Sequence, residues 1–215
     1  MLPAYVEVFD TVELNNSFYH LPKEETFEGW YNKTPEHFLF SVKGSRFITH
    51  IKKLNNVKES LDLFFERAEG LKEKLGPVLF QLPPKWQQDL ELLEEFLMLL
   101  PKKKEVTIEF RDHSWHTPEV IVLLKKYNVA FCIYHLAGFE SPREITADFT
   151  YVRLHGPNRS KYSGSYSDEA LQNWAKQILS WKNTLKHIYV YFDNDISAFA
   201  PKNAQALKQL LNPYL

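Results

Sequence analysis

Cysteine is almost absent from this sequence, since Cys132 is the only one in 215 residues. A lone cysteine excludes a disulfide framework and a thiolate metal cluster. Cys132 stands in an apolar stretch, where a thiol is not activated. We therefore predict neither a disulfide-stabilised protein nor a cysteine nucleophile.

Long apolar runs and an excess of either charge are also missing. No run of about 18 apolar residues occurs, so no membrane-spanning helix is predicted. The first residues lack the charged and apolar regions of a signal peptide, and we expect a cytoplasmic location. The net charge of −1 and the pI near 6.7 argue against a protein devoted to binding polyanions. A local basic pocket is compatible with both values.

The chain does contain a regular alternation of strand and helix patterns. The apolar content of 44% is that of a globular protein, and we expect a single domain over residues 1–215. The strands are near-continuous apolar runs, which is typical of a parallel sheet covered by helices. Seven strands are predicted, at residues 11–15, 38–43, 78–82, 106–111, 129–134, 150–155 and 188–192. Helices are predicted at residues 24–33, 56–75, 90–100, from 118 onward, 168–182 and 201–211.

This pattern predicts an α/β fold of the TIM type. A closed (β/α) barrel needs eight strands and normally about 250 residues. Because only seven strands can be recognised, the first β/α unit is missing from this sequence, and we expect an open or incomplete barrel. The strands at residues 11–15 and 188–192 should then be edge strands.

Several ordered segments resemble the YecE-like family, also known as domain of unknown function 72. One of them is EFRDHSW, from Glu109 to Trp115; the others are residues 11–19, 40–43, 48–50, 76–84, 151–156, 166–169 and 191–195. The resemblance covers essentially the whole chain and implies a TIM-type barrel. Members of the family usually open with a strand that ends in a Gly-Thr-Ser-Gly-Trp-like turn and with a first helix, and neither is found here. The family has no established reaction, so the resemblance implies architecture more than function.

Polar residues recur at one level of the predicted barrel. In parallel barrels the inward side chains near the C-terminal ends of the strands line one mouth, where active sites lie. Strand alternation places ten polar residues there: Glu13, Asn15, Lys43, Gln81, Glu109, Arg111, His135, Arg153, His155 and Asp193. Valine, isoleucine and leucine normally fill this space, so we interpret the set as a functional site; a structural polar network is the alternative.

The candidate catalytic residues are Glu109, His155 and Asp193. Burial favours the protonated form of Glu109 whereas Arg111 favours its ionised form, and His155 is an imidazole that titrates near neutral pH. The candidate substrate-binding residues include two from the turn-rich loop at residues 156–166, and they are Glu13, Asn15, Lys43, Gln81, Arg111, Arg153, Arg159 and Tyr162.

The cations among these residues point to an anionic ligand. Lys43, Arg111 and Arg153 either neutralise the carboxylates of the mouth or bind a carboxylate or phosphate. The loop that carries Arg159 and Tyr162 occupies the position where many barrels hold phosphate. A plain surface loop is the alternative, because no phosphate-loop glycine pattern is present.

A metal site is the weaker alternative for the same residues. Glu13, Glu109, His155 and Asp193 offer the oxygen and imidazole ligands that magnesium or manganese take. Three nearby cations disfavour a divalent ion, so no metal is predicted and the cofactor is unassigned.

Two functions are therefore left open. The first is an enzyme that acts by acid–base chemistry on a small phosphorylated or carboxylate metabolite. The alternative is a non-catalytic module that binds a nucleotide or nucleic acid through basic and aromatic residues. The near-neutral net charge disfavours nucleic acid, and the missing strand favours a non-catalytic role. The sequence assigns neither a substrate nor an oligomeric state.

Overall fold

The computed structural model describes residues 2–214. The chain divides between Val129 and Ala130 into two compact units, and each is described by itself. The expectation of one domain over the whole chain stays a prediction.

The first unit is built on four parallel strands. They are β1 (Thr11–Leu14), β2 (Leu39–Lys43), β3 (Leu75–Gln81) and β4 (Val106–Glu109), hydrogen-bonded in that order. Its α-helices are α1 (Leu2–Val6), α2 (Asn16–Tyr19), α3 (Glu24–Tyr31), α4 (Lys58–Ala68), α5 (Leu90–Leu99) and α6 (Pro118–Tyr127). Shorter segments are a π-helical turn (Phe47–Ile51) and two 3-10 segments (Glu69–Lys74 and His113–Trp115).

The second unit repeats the alternation with three parallel strands and a short hairpin. Its strands are β5 (Ala130–Leu136), β6 (Phe139–Glu140), β7 (Phe149–Leu154) and β8 (His187–Phe192). Strand β7 lies between β5 and β8 and is parallel to both, whereas β6 folds back antiparallel onto β5. Its helices are α7 (Asp168–Trp181) and α8 (Phe199–Leu211), followed by a 3-10 turn (Asn212–Tyr214).

The parallel strands agree in number with the seven predicted ones. Within its own unit, β1 pairs with one described strand, β2, and β8 pairs with one described strand, β7. Strand β4 likewise pairs with one described strand, β3, within the first unit. The edge position of β1 and β8 therefore stays a prediction. No described helix is long and apolar enough to cross a membrane.

Local sequence signals explain several of the helix starts. Thr117 accepts a hydrogen bond from the Val120 N–H ahead of Pro118, the first residue of α6. Ser167 accepts one from the Ala170 N–H and begins α7, as predicted. These side chains satisfy amide donors that have no partner inside a helix.

One predicted helix start is wrong. A helix is predicted to begin at Asn56, but the φ of this residue, 51°, is left-handed and α4 begins at Lys58. No side-chain cap is present at Val57, the residue before α4. Leu54 and Val57 are both buried. Their packing, and not a local cap, therefore determines where α4 begins.

Phenylalanine rings form much of the core of the first unit. Phe38 and Phe40 meet with ring centroids 5.1 Å apart. Phe80, on β3, lies 5.9 Å from Phe64 on α4 and 5.2 Å from Phe96 on α5. All five are essentially unexposed, and each contributes about 1.5–3 kcal/mol by burial. On β2 the opposite parity carries Ser41 and Lys43, and on β3 it carries Leu79 and Gln81.

Candidate active site

In the first unit, β3 and β4 bring their polar ends together. Gln81 and Glu109 are register partners on these strands. Glu109 is 0% exposed, and its carboxylate accepts a hydrogen bond from the Nε–H of Arg111. A guanidinium in contact with a carboxylate favours the ionised form, so this geometry suits charge stabilisation better than proton donation.

Lys43, the last residue of β2, connects this pair of strands to α2. Its Nζ donates to Gln81 Oε1 at 2.8 Å and lies 4.5 Å from the ring centroid of Phe18. Its main-chain carbonyl accepts a hydrogen bond of 2.7 Å from Ser17 Oγ. Lys43 is only 9% exposed, so the backbone contact and the ring together fix where its charge lies.

Glu13 and Asn15 also meet, because the Asn15 Nδ2 donates to Glu13 Oε1 at 2.9 Å. Asn15 lies just after β1 rather than on it, with helical backbone angles. The side-chain amide therefore turns back along the strand to reach the carboxylate.

The π-helical turn that follows β2 carries a further titratable residue of the first unit, His50. The ring of His50 stands edge-to-face on Phe18, with centroids 5.0 Å apart, and its Nδ1 lies 2.9 Å from Thr49 Oγ1. Burial lowers the pKa of His50, and the positive charges of Lys43 and Arg46 lower it further. Single π-helical turns occur often at functional sites.

In the second unit, Arg153, His155 and Asp193 form one cluster at the ends of β7 and β8. Arg153 Nη2 lies 3.0 Å from Asp193 Oδ2, and His155 Nδ1 lies 3.3 Å from the same oxygen. Arg153 is 3% exposed and His155 is 1% exposed. The Nδ1 contact is at ion-pair distance, and a negative charge at this place favours an imidazolium. Nε2 is the other ring nitrogen that can exchange a proton.

The loop at residues 156–166 folds back over this cluster. The ring of Tyr162 stands edge-to-face on His155, with centroids 5.5 Å apart. Tyr162 itself is 42% exposed. Tyr162 has a left-handed φ of 60°, a strain of about 1–3 kcal/mol that occurs preferentially at functional sites. Gly156 opens the loop with φ of 103°, and a Cβ there would lie 2.2 Å from the Ser163 carbonyl oxygen. Only glycine fits this turn.

Arg159 is not brought to the cluster. It lies exposed in the same loop, as does Lys161. The structure thus joins Arg153, His155, Asp193 and Tyr162. Among the sequence-predicted residues of the first unit it joins Lys43 to Gln81, Glu109 to Arg111, and Glu13 to Asn15. That the predicted residues line one mouth stays a prediction.

His135, on β5, is connected through Tyr166 to Gly156, the residue after His155. The Tyr166 hydroxyl accepts a hydrogen bond of 3.1 Å from the Gly156 N–H and lies 3.1 Å from His135 Nδ1. Burial lowers the pKa of His135, and burial also raises the pKa of Tyr166 well above its usual range. The neutral imidazole and the protonated phenol therefore hold each other in place.

Sequence reasoning missed two asparagines of the second unit. Asn194 is fully buried directly after Asp193, and Asn203 is buried within α8. Asn194 stands in a run of acidic and amide residues that could have drawn attention. For Asn203 the one available signal was its low helix propensity inside an apolar helix face.

A metal centre finds no support among residues 2–214. No group of three or more histidine, cysteine, aspartate or glutamate side chains in this range is arranged to hold a metal ion. The cations Lys43, Arg111 and Arg153 instead occupy positions beside the candidate carboxylates and amides.

Parallel strands alternating with helices, and polar residues at the carboxyl ends of those strands, define an α/β protein of the TIM-barrel class. The chain matches the family model "Protein of unknown function DUF72" over residues 1–214. It therefore belongs to the DUF72 family, and the resemblance seen in the sequence is confirmed.

Individual relatives agree with this assignment. The UPF0759 protein YunF of Bacillus subtilis (strain 168) is 25% identical, over 98% of this chain and 86% of YunF. The UPF0759 protein YecE of Escherichia coli (strain K12) is 31% identical over 111 residues, which are 51% of this chain and 41% of YecE.

Solved structures show the same fold. A DUF72 family protein from Thermotoga maritima MSB8 superposes with a TM-score of 0.87 at 29% identity, over 98% of this chain and 88% of that chain. A DUF72 family protein from Enterococcus faecalis V583 gives a TM-score of 0.89 at 20% identity, over 99% and 88% of the respective chains. The family is described as one of unknown function, so function has to be argued from the residues.

Proposed function

We propose that this protein is an enzyme that acts on a small anionic metabolite by acid–base chemistry, with His155 as the proton-carrying group. The observation that carries the proposal is the buried contact of His155 Nδ1 with Asp193 Oδ2 at 3.3 Å. The negative charge of a carboxylate in this position stabilises the imidazolium formed when Nε2 takes a proton. We also propose a cytoplasmic location, as expected from the sequence.

Arg153 supports this role for His155 by its contact with the same Asp193 oxygen, at 3.0 Å. The guanidinium favours ionised aspartate, so Asp193 acts as a fixed negative charge and not as a proton donor. Glu109 is the second acid–base candidate. Its carboxylate accepts a hydrogen bond from the Arg111 Nε–H.

An anionic substrate is favoured by the cations near the strand ends. In the second unit, Arg159 and Lys161 are exposed on the loop whose Tyr162 contacts His155. In the first unit, Lys43 and Arg46 lie close enough to His50 to lower its pKa. Carboxylate and phosphate groups are the ligands that such side chains recognise.

A non-catalytic nucleotide-binding module is the second candidate. It is favoured by the exposed ring of Tyr162, which follows two exposed cations, Arg159 and Lys161, in sequence and could stack on a base. This candidate predicts binding without turnover, so one experiment separates the two.

The experiment incubates the purified protein with a panel of sugar phosphates, nucleotides and carboxylates, and follows each compound by NMR spectroscopy and calorimetry. The panel is repeated with His155→Gln and with the control His187→Gln, which changes an exposed histidine at the opposite end of β8. We expect turnover of one compound class by the unmutated protein and the control, and a loss of about 10²–10⁴-fold with retained binding in His155→Gln. Binding without turnover by the unmutated protein would establish the module instead. Full turnover by His155→Gln would overturn the role of His155.

A further inference from the structure

Asn203, on α8, uses both ends of its side-chain amide within the second unit. Its Oδ1 accepts from the Tyr166 N–H at 3.2 Å and from Asn194 Nδ2 at 2.8 Å. Its Nδ2 donates to Ser165 Oγ at 3.1 Å. Because a backbone N–H must meet the oxygen, the orientation of this amide is unambiguous.

Two partners of Asn203, Asn194 and Tyr166, connect it to the candidate active site. Asn194 directly follows Asp193, and its Nδ2 also donates to the Gly164 carbonyl at 2.8 Å. Tyr166 reaches back through its hydroxyl, which accepts from the N–H of Gly156, the residue after His155. Both loops that leave the site are therefore tied to a single helix residue.

Covalent bonds, hydrogen bonds and one ion-pair contact together close a ring behind the site. The ring runs from Asp193 through Asn194, Asn203 and Tyr166 to Gly156 and His155, and the His155 contact with Asp193 completes it. We propose that Asn203 is a positioning residue, which holds the loops after β7 and β8 so that His155 stays buried against Asp193. The proposal rests on the proposed function for the importance of that contact.

The chemistry of α8 supports a specific role for this amide. Asparagine is unfavourable within a helix, and burying an amide costs free energy unless it is hydrogen-bonded. Leu207, one turn along the same helix, is also buried and shows that this face accepts an apolar side chain. The packing of the helix does not need an amide at Asn203. The four hydrogen bonds that this amide makes to two loops do need it.

The test measures how well His155 is shielded, by its rate of carbethoxylation with diethyl pyrocarbonate. Mass spectrometry follows the modified peptide relative to that of the exposed His20. In Asn203→Leu the ring loses its central contacts, and we expect His155 to react about tenfold faster or more. Tyr166→Phe removes only the hydroxyl and should accelerate the reaction in the same direction, which keeps the test informative if the first variant folds poorly.

Two controls on α8 separate positioning from general loosening. Gln205→Leu makes the same chemical change at an exposed position, and Leu207→Ala weakens the packing of the helix without touching the ring. Both should keep the unmutated rate at His155 well below their melting temperatures. Equal acceleration by Leu207→Ala, or an unchanged rate in both ring variants, would overturn the proposal. The readout needs no substrate, so a failure of the proposed function leaves it interpretable.

Discussion

A buried lysine should stabilise the first unit far more than its exposed neighbour does. Lys74 is 3% exposed, and its Nζ donates to the carbonyl oxygens of Tyr31 and Thr34, each at 2.7 Å. It also lies 4.4 Å from the centroid of the Tyr31 ring. The Tyr31 carbonyl is the last of α3, where a positive charge is favourable, and Thr34 follows three residues later.

Substitution of Lys74 by methionine retains most of the aliphatic stem but removes the ammonium group. Hydrogen bonds to a charged group contribute about 1.5–3 kcal/mol each, and the relief from burying a charge offsets part of their loss. We therefore expect the free energy of unfolding to fall by about 3 kcal/mol, which corresponds to a melting temperature lower by about 6–12 °C.

The assay is urea denaturation followed by circular dichroism, with Lys72→Met as the matched control. Lys72 lies over the same Tyr31 ring at 4.7 Å but is exposed, so its loss should change stability by less than about 0.5 kcal/mol. If the two variants were equally stable, the hydrogen bonds of Lys74 would not contribute as the geometry implies.

Two further predictions concern pH and backbone conformation. Burial lowers the pKa of His50, so the unfolded chain binds this proton more readily, and stability should fall as the pH drops below about 6.5. The test measures the urea midpoint of each variant between about pH 7.5 and 5.5. The midpoint should fall less for His50→Gln than for the exposed control His20→Gln, and an equal fall in both variants would contradict this. Gly156→Ala should destabilise by about 1–3 kcal/mol or more, because its φ is 103° and the new Cβ would meet the Ser163 carbonyl. Gly29→Ala, in open space within α3, should instead stabilise by about 0.5–1 kcal/mol in the same denaturation assay, and an equal effect of the two changes would refute the argument.

Strand periodicity was sufficient to predict several polar side chains on the sheet. The alternation along β2, β4 and β7 separates Lys43, Glu109 and Arg153 from the apolar core residues, and all three are buried with polar partners. This worked because the apolar and polar faces of these strands differ at every second residue. Residue-level caps such as Thr117 were predictable for a similar reason, since they depend on neighbours three residues away.

Features that depend on distant parts of the chain were not predictable. The helix start predicted at Asn56 is wrong because the burial of Leu54 and Val57 outweighs the local preference of the chain. The partners of Asn203 lie 9 and 37 residues away, so no local pattern marks it. The short hairpin strand β6 was missed because two residues carry no periodicity.

The most direct test of the proposed chemistry is a crystal structure with the compound identified by the metabolite panel, grown without phosphate or carboxylate buffers. We predict that a reacting group of the compound lies about 2.6–3.2 Å from Nε2 of His155, with Asp193 still at Nδ1. The same crystals should show the ring of Tyr162 moved onto the compound. A bound compound that touches neither His155 nor Tyr162, with their rings still in mutual contact, would contradict the assignment of His155 as the proton-carrying group.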